Sequence, residues 1–440
     1  MSASDTTLSF DQYRLDDWLA WMEAHHPRQI ELGLDRIRTV ANRLSLTPNA
    51  AKVITVGGTN GKGSCAAFLE NILRAQGYRV GVYTSPHLLA YNERVRIDGD
   101  VVGDADFCAA FRAIHAAADD VSLTYFEYGT LAALWLFSQT ALDVWVLEVG
   151  LGGRLDAVNL IDADVAVLTT IDLDHQDWLG DDRETIGREK AGIFRRDRLA
   201  ICVDAQPPQS VLDTAAQVGA KLLTLRDGID VAVHADHWRW QSVLAGAPVY
   251  DDLPLPSLPL PSAVAALTAL HALAIVIDRE SIQRGLIQTH LPGRFQRFER
   301  DGVEIILDVA HNPQAAHYLA QRLRDTSVTR TLAVFELMQD KDAAGIVSAL
   351  HAQIDGWYIG ELADNPRAAK SATLTKIMRE QQVEAVHAYP SVDMAFVAAL
   401  AAAHAGDRVV VFGSFFTVAA VLHRVMADSE CIRGGEGAHP

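Results

Sequence analysis

Gly57-Gly58-Thr59-Asn60-Gly61-Lys62-Gly63-Ser64 is the segment whose residue types and spacing most directly suggest chemistry. Its glycines let backbone come close to a polyphosphate, and its amide N–H groups can point inward. A helix starting just after it would add positive potential at its N-terminus. Lys62 offers a point charge for the β- and γ-phosphates, and Ser64 offers a hydroxyl. The general phosphate-loop pattern is met with two departures: Val56 stands where the first glycine belongs, and Gly63 separates Lys62 from Ser64. The chemistry expected is nucleotide binding, with an ordinary glycine-rich turn as the plainer alternative.

Such a loop needs a strand before it and a helix after it. The apolar run Val53–Val56 precedes it, and a helical pattern over Ser64–Gln76 follows and stops at Gly77. Further strand-like runs are 79–83, 143–149, 164–171 and 199–203, several almost continuously apolar, as in a parallel sheet buried on both faces. Helical patterns cover 11–46 and 128–140, and Ala263–Ile277 reads as a buried helix. A proline-rich stretch from Pro248 to Pro261 leads into the helix that begins near Ser262. A second strand and helix series then runs through 304–309, 331–335, 356–359 and 408–412. The expected fold is α/β, an N-terminal P-loop ATPase-like doubly wound domain (1–291) with a smaller C-terminal Rossmann-like α/β domain (292–440).

Open parallel sheets bind ligands at the carboxyl ends of their strands. Ser85-Pro86-His87 follows the second strand, Glu148 ends VWVLE, and His175 follows the run beginning at Asp164. Glu148 holds the position of a Walker-B acid, and with Ser85 it suits Mg²⁺, which favours oxygen ligands. His175 is a softer candidate, because imidazole is an uncommon Mg²⁺ ligand. Lys190, in Arg188-Glu189-Lys190-Ala191-Gly192, reads as lying near the start of a helix, where alone it would be a solvated charge. Asp308, His311, Arg294 and Ser414 occupy loops that are generic by their chemistry alone.

The chain has 440 residues and a formal net charge of −18 with no basic run, which argues against a nucleic-acid partner. Its four cysteines, Cys65, Cys108, Cys202 and Cys431, show no metal-site or disulfide spacing. The acidic N-terminus carries no signal-peptide pattern, and no apolar run reaches membrane-spanning length. A cytoplasmic protein with no membrane partner is expected.

The order of motifs resembles the bifunctional dihydrofolate synthase/folylpolyglutamate synthases of the Mur ligase superfamily. They are IELGLDR (30–36), GGTNGKGS, YTSPHL (83–88), NERVRIDG (92–99), LTYFEYGT (123–130), LEVGLGGRLDAVN (147–159), DHQDWLG (174–180), IGREKAGIF (186–194), LPGRFQ (291–296), DVAHNP (308–313), DKD (340–342) and GSFFTV (413–418). The resemblance implies ATP phosphates held by Thr59, Asn60, Gly61, Lys62, Gly63 and Ser64. It implies Mg²⁺, two ions by family pattern, on Ser85, Glu148 and His175, with Lys190 carbamylated as a further oxygen ligand. Glu31, Leu32, Gly33, Thr124, Tyr125, Phe126, Glu127, Leu155, Asp156 and Ala157 match pterin-pocket segments. Arg294 and Asp308 match ATP contacts, and His311 and Ser414 match positions near the incoming glutamate, His311 being a guess for the base that takes the amine proton. Two departures stand out. Ser262 replaces an asparagine that contacts ATP, keeping a hydroxyl but losing two-sided amide recognition. Glu336 replaces the glycine expected before DKD, which alters that turn.

The resemblance implies an ATP-dependent ligase joining L-glutamate to dihydropteroate or to folates through an acyl phosphate, working as a monomer. Three alternatives are a folylpolyglutamate synthase lacking dihydropteroate use, a Mur-type cell-wall amino-acid ligase, and a nucleotide-switch protein without ligase activity.

Overall fold

The computed structural model describes residues 9–432 except Gln29, Arg226, Ser327 and Ser429; the first eight residues and the polar tail from 433 onward lie outside the described residues. The chain divides into two compact units. One comprises Met1–Ile171 with Leu179–Thr289, and the other Asp172–Trp178 with His290–Pro440.

The first unit is built on an 11-stranded sheet. Its centre is parallel, with Val165–Leu168, Lys52–Gly57, Val144–Glu148 and Val80–Tyr83 adjacent in that order. Leu199–Cys202 and Lys221–Leu225 extend the parallel run on one side. These strands are Val-, Ile- and Leu-rich with almost no alternation, because helices cover both faces. Lys52–Gly57 lies between strands that come later in the chain, so the chain leaves it toward one side and afterwards returns to the other. That reversal opens a crevice at its carboxyl end, where the glycine-rich loop begins.

Both edges are antiparallel, which the sequence reading did not anticipate. Val95–Ile97 and Asp100–Val101 form one edge, and His237–Ser242 and Tyr250–Pro254 the other. Trp238 and Trp240 are fully buried and two residues apart, a period-2 signal that was present but short. Part of the proline-rich stretch is therefore strand, and the next helix spans Leu260–Ala272 with Pro261 in its first turn. The apolar run to Ile277 is not all helix: the chain leaves it after Ala272, and Val276 is exposed.

The helical expectation for 11–46 is corrected to two helices, Leu15–His25 and Asp35–Arg43. Pro27 and Gly33, the latter at φ 151°, lie in the break between them. Trp18, Met22, Ile37 and Val40 seat both helices on a core with Phe107, Phe111, Tyr128 and Trp145. Lys190 is also corrected: it lies at the end of a helix, Arg183–Ala191, rather than near its start. Asp182 caps that helix by accepting the Thr185 N–H at 2.9 Å, and Gly192 follows its last residue.

The second unit holds a seven-stranded sheet with a parallel core of Val386–Ala388, Gly356–Ile359, Thr331–Phe335, Arg408–Phe412 and Val303–Leu307. Gln296–Arg300 and Glu430–Ile432 add an antiparallel edge. Its core gathers Phe335, Trp357, Phe412 and Leu319. No described helix is long and apolar enough to cross a membrane.

Candidate active site

The glycine-rich loop leaves the strand Lys52–Gly57 and enters the helix Lys62–Gln76, with Gly58 at φ 138° and Gly61 at φ 88°. Space as well as conformation excludes side chains at these glycines. An added Cβ at Gly58 would collide with Thr169 Oγ1, and one at Gly61 would lie 2.7 Å from Ser262 Oγ. The neighbouring strand end holds the loop in shape. Thr59 N donates to Thr170 O at 2.6 Å, Asn60 N to Thr170 Oγ1 at 3.2 Å, and Thr169 Oγ1 to Asn60 O at 2.7 Å. Ser262 Oγ donates to Gly61 O at 3.1 Å, so this hydroxyl fastens the loop itself. Gly63 continues the first helical turn and Ser64 is buried within it.

Two lysines meet at this loop. Lys62 Nζ donates to Gly58 O and Thr59 O at 3.1 Å each, and the buried Lys190 Nζ donates to the same Gly58 O at 3.0 Å. Their convergence on one carbonyl concentrates positive charge in a chain that is acidic overall. Glu148 ends the adjacent strand, is almost fully buried, and accepts the Ser85 N–H at 3.2 Å. Its charge adds to burial in pushing the Cys65 thiol up. A buried carboxylate next to a serine is the donor chemistry a hard divalent cation prefers.

A second group of residues in the same unit forms beside Val149-Gly150. Phe126 packs so closely on Gly150 that a Cβ there would sit 2.5 Å from the ring. Thr124 and Glu127 form a reciprocal capping box, with Thr124 N to Glu127 Oε2 at 2.8 Å and Glu127 N to Thr124 Oγ1 at 3.2 Å. Gly33 N donates to Leu155 O at 3.3 Å. Glu31 and Glu127 share one cation, Arg36, which is ion-paired to both and holds Glu127 Oε1 at 3.2 Å. Leu32 adjoins Glu31 and is half-buried. Asp156 spends both carboxylate oxygens on the backbone, accepting from Leu151 N at 2.8 Å and Val158 N at 2.9 Å, and so starts the short turn Ala157–Leu160. Burial raises its carboxyl to about 6 against those bonds and the nearby Lys62 charge.

Two family models match the chain: the Mur ligase middle domain over residues 56–228 and the Mur ligase glutamate ligase domain over residues 293–415. The dihydrofolate synthase/folylpolyglutamate synthase of Escherichia coli K12 is 46% identical over 414 residues, covering 94% of this chain and 96% of that protein. The Haemophilus influenzae protein of the same description is 40% identical over 427 residues, covering 92% and 96%. The chain belongs to the dihydrofolate synthase/folylpolyglutamate synthase family of Mur ligases. The solved structure of E. coli FolC with DHPP and ADP superposes with TM-score 0.90 at 45% identity, covering 94% of this chain and 98% of the other. A bifunctional folylpolyglutamate synthase/dihydrofolate synthase solved with Mn, AMPPNP and L-glutamate gives 0.88 at 45% identity, with the same coverage.

Within this family fold, Arg36 and Arg94 are polar groups that the sequence reading did not single out, and His87 was named only beside Ser85 with no role, although each lies inside a quoted motif. Arg94 is buried, donates to His87 Nδ1 at 2.9 Å, and stacks over Tyr91 and Tyr125 at 5.2 and 5.7 Å. Burial and then the Arg94 charge lower His87 to about 4, so this imidazole stays neutral at ordinary pH. Only the approach of 83–94 to Tyr125 reveals the group, and no spacing rule would have found it.

Arg36 carries the first testable consequence. Arg36→Ala strands the buried Glu127 carboxylate, at a cost of about 1–3 kcal/mol once the partial exposure of Arg36 is allowed for. It is expected to lower Tm and to raise KM for the pterin substrate about tenfold while leaving KM for ATP within about twofold. Steady-state kinetics with each substrate varied in turn checks this; equal effects on both KM values would contradict a pterin-side role.

The remaining candidates lie in the second unit. His175, at φ 52°, belongs to the segment Asp172–Trp178, and its side chain is about two-fifths exposed, with Nε2 3.9 Å from Asp174 Oδ2. Asp174 also pairs with Lys341 and, at 3.5 Å, with His311 Nε2. Burial pushes the Asp174 carboxyl up, but the His311 hydrogen bond and the His175, His311 and Lys341 charges together hold it far below the usual range. His311 Nδ1 faces Val309 O at 2.8 Å. Both ring nitrogens thus face acceptors, and accepting a proton requires the Asp174 contact to be released. Asp308 accepts from Phe295 N and Ala310 N at 2.8 Å each, and Arg294 stacks over Phe415 at 4.8 Å. Ser414 Oγ lies beside Glu336 and Thr417.

Proposed function

We infer that this chain is an ATP-dependent ligase that adds L-glutamate to dihydropteroate, giving dihydrofolate, and to folates, giving polyglutamates. The observation that carries this reading lies in one unit. A phosphate loop with Lys62 and Lys190 on Gly58 O, and Glu148 ending the next strand, share that unit with the cluster of Glu31, Gly33, Thr124–Glu127 and Leu155. The relatives at 46% and 40% identity bear names for both activities, which favours the bifunctional reading over a synthase confined to folates.

Carboxylate and ammonium do not condense at neutral pH, so the acid must first become an acylating agent. One acceptor carboxylate oxygen attacks the γ-phosphorus, the bond to the bridging oxygen breaks, and ADP leaves. The glutamate nitrogen, having lost a proton, then attacks the acyl carbon, and phosphate departs as the amide forms. Lys62 and the loop amides orient the phosphates and offset the charge that spreads over them during transfer. Ser85 and Glu148 fit a divalent cation through their oxygen donors, and His175 is retained as a ligand candidate; bound Mg²⁺ supplies charge neutralisation and alignment. A carbamate on Lys190 keeps one N–H, so the bond to Gly58 O can survive while two oxygens are gained. Ser262, Arg294 and Asp308 are assigned to ATP, and His311 and Ser414 to the incoming glutamate. The reading extends to a cytoplasmic monomer with small-molecule substrates.

The test is ADP formation by the purified protein with Mg-ATP and L-glutamate, with dihydropteroate or tetrahydrofolate in separate reactions. Turnover with both is expected. Turnover with tetrahydrofolate alone would reduce the function to polyglutamate synthesis, and silence with both would refute the reading.

A further inference from the structure

Glu336 follows the strand Thr331–Phe335 and has no exposed surface. Its Oε2 lies 3.2 Å from Ser414 Oγ and 2.9 Å from Thr417 Oγ1, and those two hydroxyl oxygens are 2.7 Å apart. Thr417 N donates to Ser414 Oγ at 3.0 Å, fixing that oxygen at the start of the helix Phe415–Asp428. The chain passes directly over this corner: Gly413, at φ +122°, has no room for a Cβ because it would collide with Glu336 O. Glu336 Oε1 has no hydrogen-bond partner among the described residues.

The proton count of this triangle is informative. Three oxygen–oxygen edges are within hydrogen-bond range, Thr417 Oγ1 also lies 3.2 Å from the backbone Glu336 O, and the two hydroxyls supply only two protons for these contacts. A carboxyl proton on Oε2 supplies the third and closes the ring. It also leaves Oε1 as a neutral carbonyl oxygen, which is far less costly to bury without a partner than an anionic one. We propose that Glu336 is a positioning residue that sets the direction of the Ser414 hydroxyl by taking up or releasing one proton, and thereby tunes the affinity for the incoming amino-acid dicarboxylate. The proposal rests on the assignment of Ser414 to that substrate.

Burial raises the Glu336 carboxyl to about 7, against the hydroxyls of Thr417 and Ser414. Neither hydroxyl bears a charge that would hold the carboxyl in one protonation state. Below that value the ring is closed and the corner is neutral. Above it, both hydroxyls turn toward Oε2, and a buried anion adjoins the place where L-glutamate brings its own carboxylates, so binding weakens as pH rises.

The experiment measures KM for L-glutamate between pH 6 and 8.5 on the full-length chain, together with Glu336→Gln and Ser414→Ala. In the parent, KM is expected to rise about tenfold across this range. In Glu336→Gln, which keeps shape and a donor but cannot ionise, KM is expected to stay within about twofold of the parent's low-pH value, with kcat changing less than KM. Should the Gln variant not fold, Glu336→Gly removes the ionisable group and is expected to give the same flat profile. If Ser414→Ala raises KM while the Gln variant reproduces the parent's pH profile, the proposal is overturned and the Ser414 assignment stands. If Ser414→Ala leaves KM unchanged at pH 6, that assignment fails and the proposal falls with it.

Discussion

Lys62→Ala is expected to lower kcat by about 10²–10⁴, because in the proposed reaction the ammonium group would act where negative charge accumulates in the transition state. In the structure it donates to Gly58 O and Thr59 O at the mouth of the helix Lys62–Gln76, the point where loop amides and helix dipole also direct positive potential. Lys190 cannot replace it: its ammonium is buried and comes to Gly58 O from the helix Arg183–Ala191. Loss of an interaction strongest in the transition state should appear in kcat, with KM for ATP raised less. Single-turnover ADP formation at saturating ATP reads this directly. A kcat within threefold of the parent would remove Lys62 from phosphoryl transfer.

Glu148→Gln is expected to lower activity by about 10²–10³ and to raise the divalent-metal concentration needed for half-maximal rate. Glutamine keeps the size of the side chain and can still accept the Ser85 N–H, but it lacks the charge that attracts a hard cation. Glu148 is almost fully buried, so exchanging a charged group for a neutral one relieves desolvation there. Tm is therefore expected to be no lower than the parent's, which separates a metal defect from a folding defect. Metal titration of the rate and thermal melts without metal make the distinction; a lower Tm with unchanged metal dependence would assign Glu148 a purely structural role.

The phosphate loop was legible because it is local. Strand, glycine turn and helix start are consecutive, and the chemistry of Gly57 to Ser64 depends on that order alone. Glu148 was legible for a related reason, since a carboxylate closing a continuous apolar run must emerge at a strand end. The helix boundaries around Lys190 were not, because a capping aspartate at 182 moved the helix start well upstream of the motif. The edge hairpin containing Trp238 and Trp240 was lost among prolines, where a six-residue alternation is too short to outweigh turn signals.

Sequence alone determined the α/β class, the strand–glycine turn–helix loop at Gly57–Ser64, the order of strand-end polar residues and, through its run of motifs, the family. These are properties of neighbours in the chain, and periodicity and turn chemistry encode them. Tertiary structure alone decided which charges meet. Arg36, paired with Glu31, reaches Glu127 across 91 positions, Lys190 reaches Gly58 across 132, and Glu336 finds Ser414 across 78. Buried charge and buried hydrogen bonds depend on distances in space and on exclusion of water, and residue order does not specify them until the sheets have brought distant strand ends together.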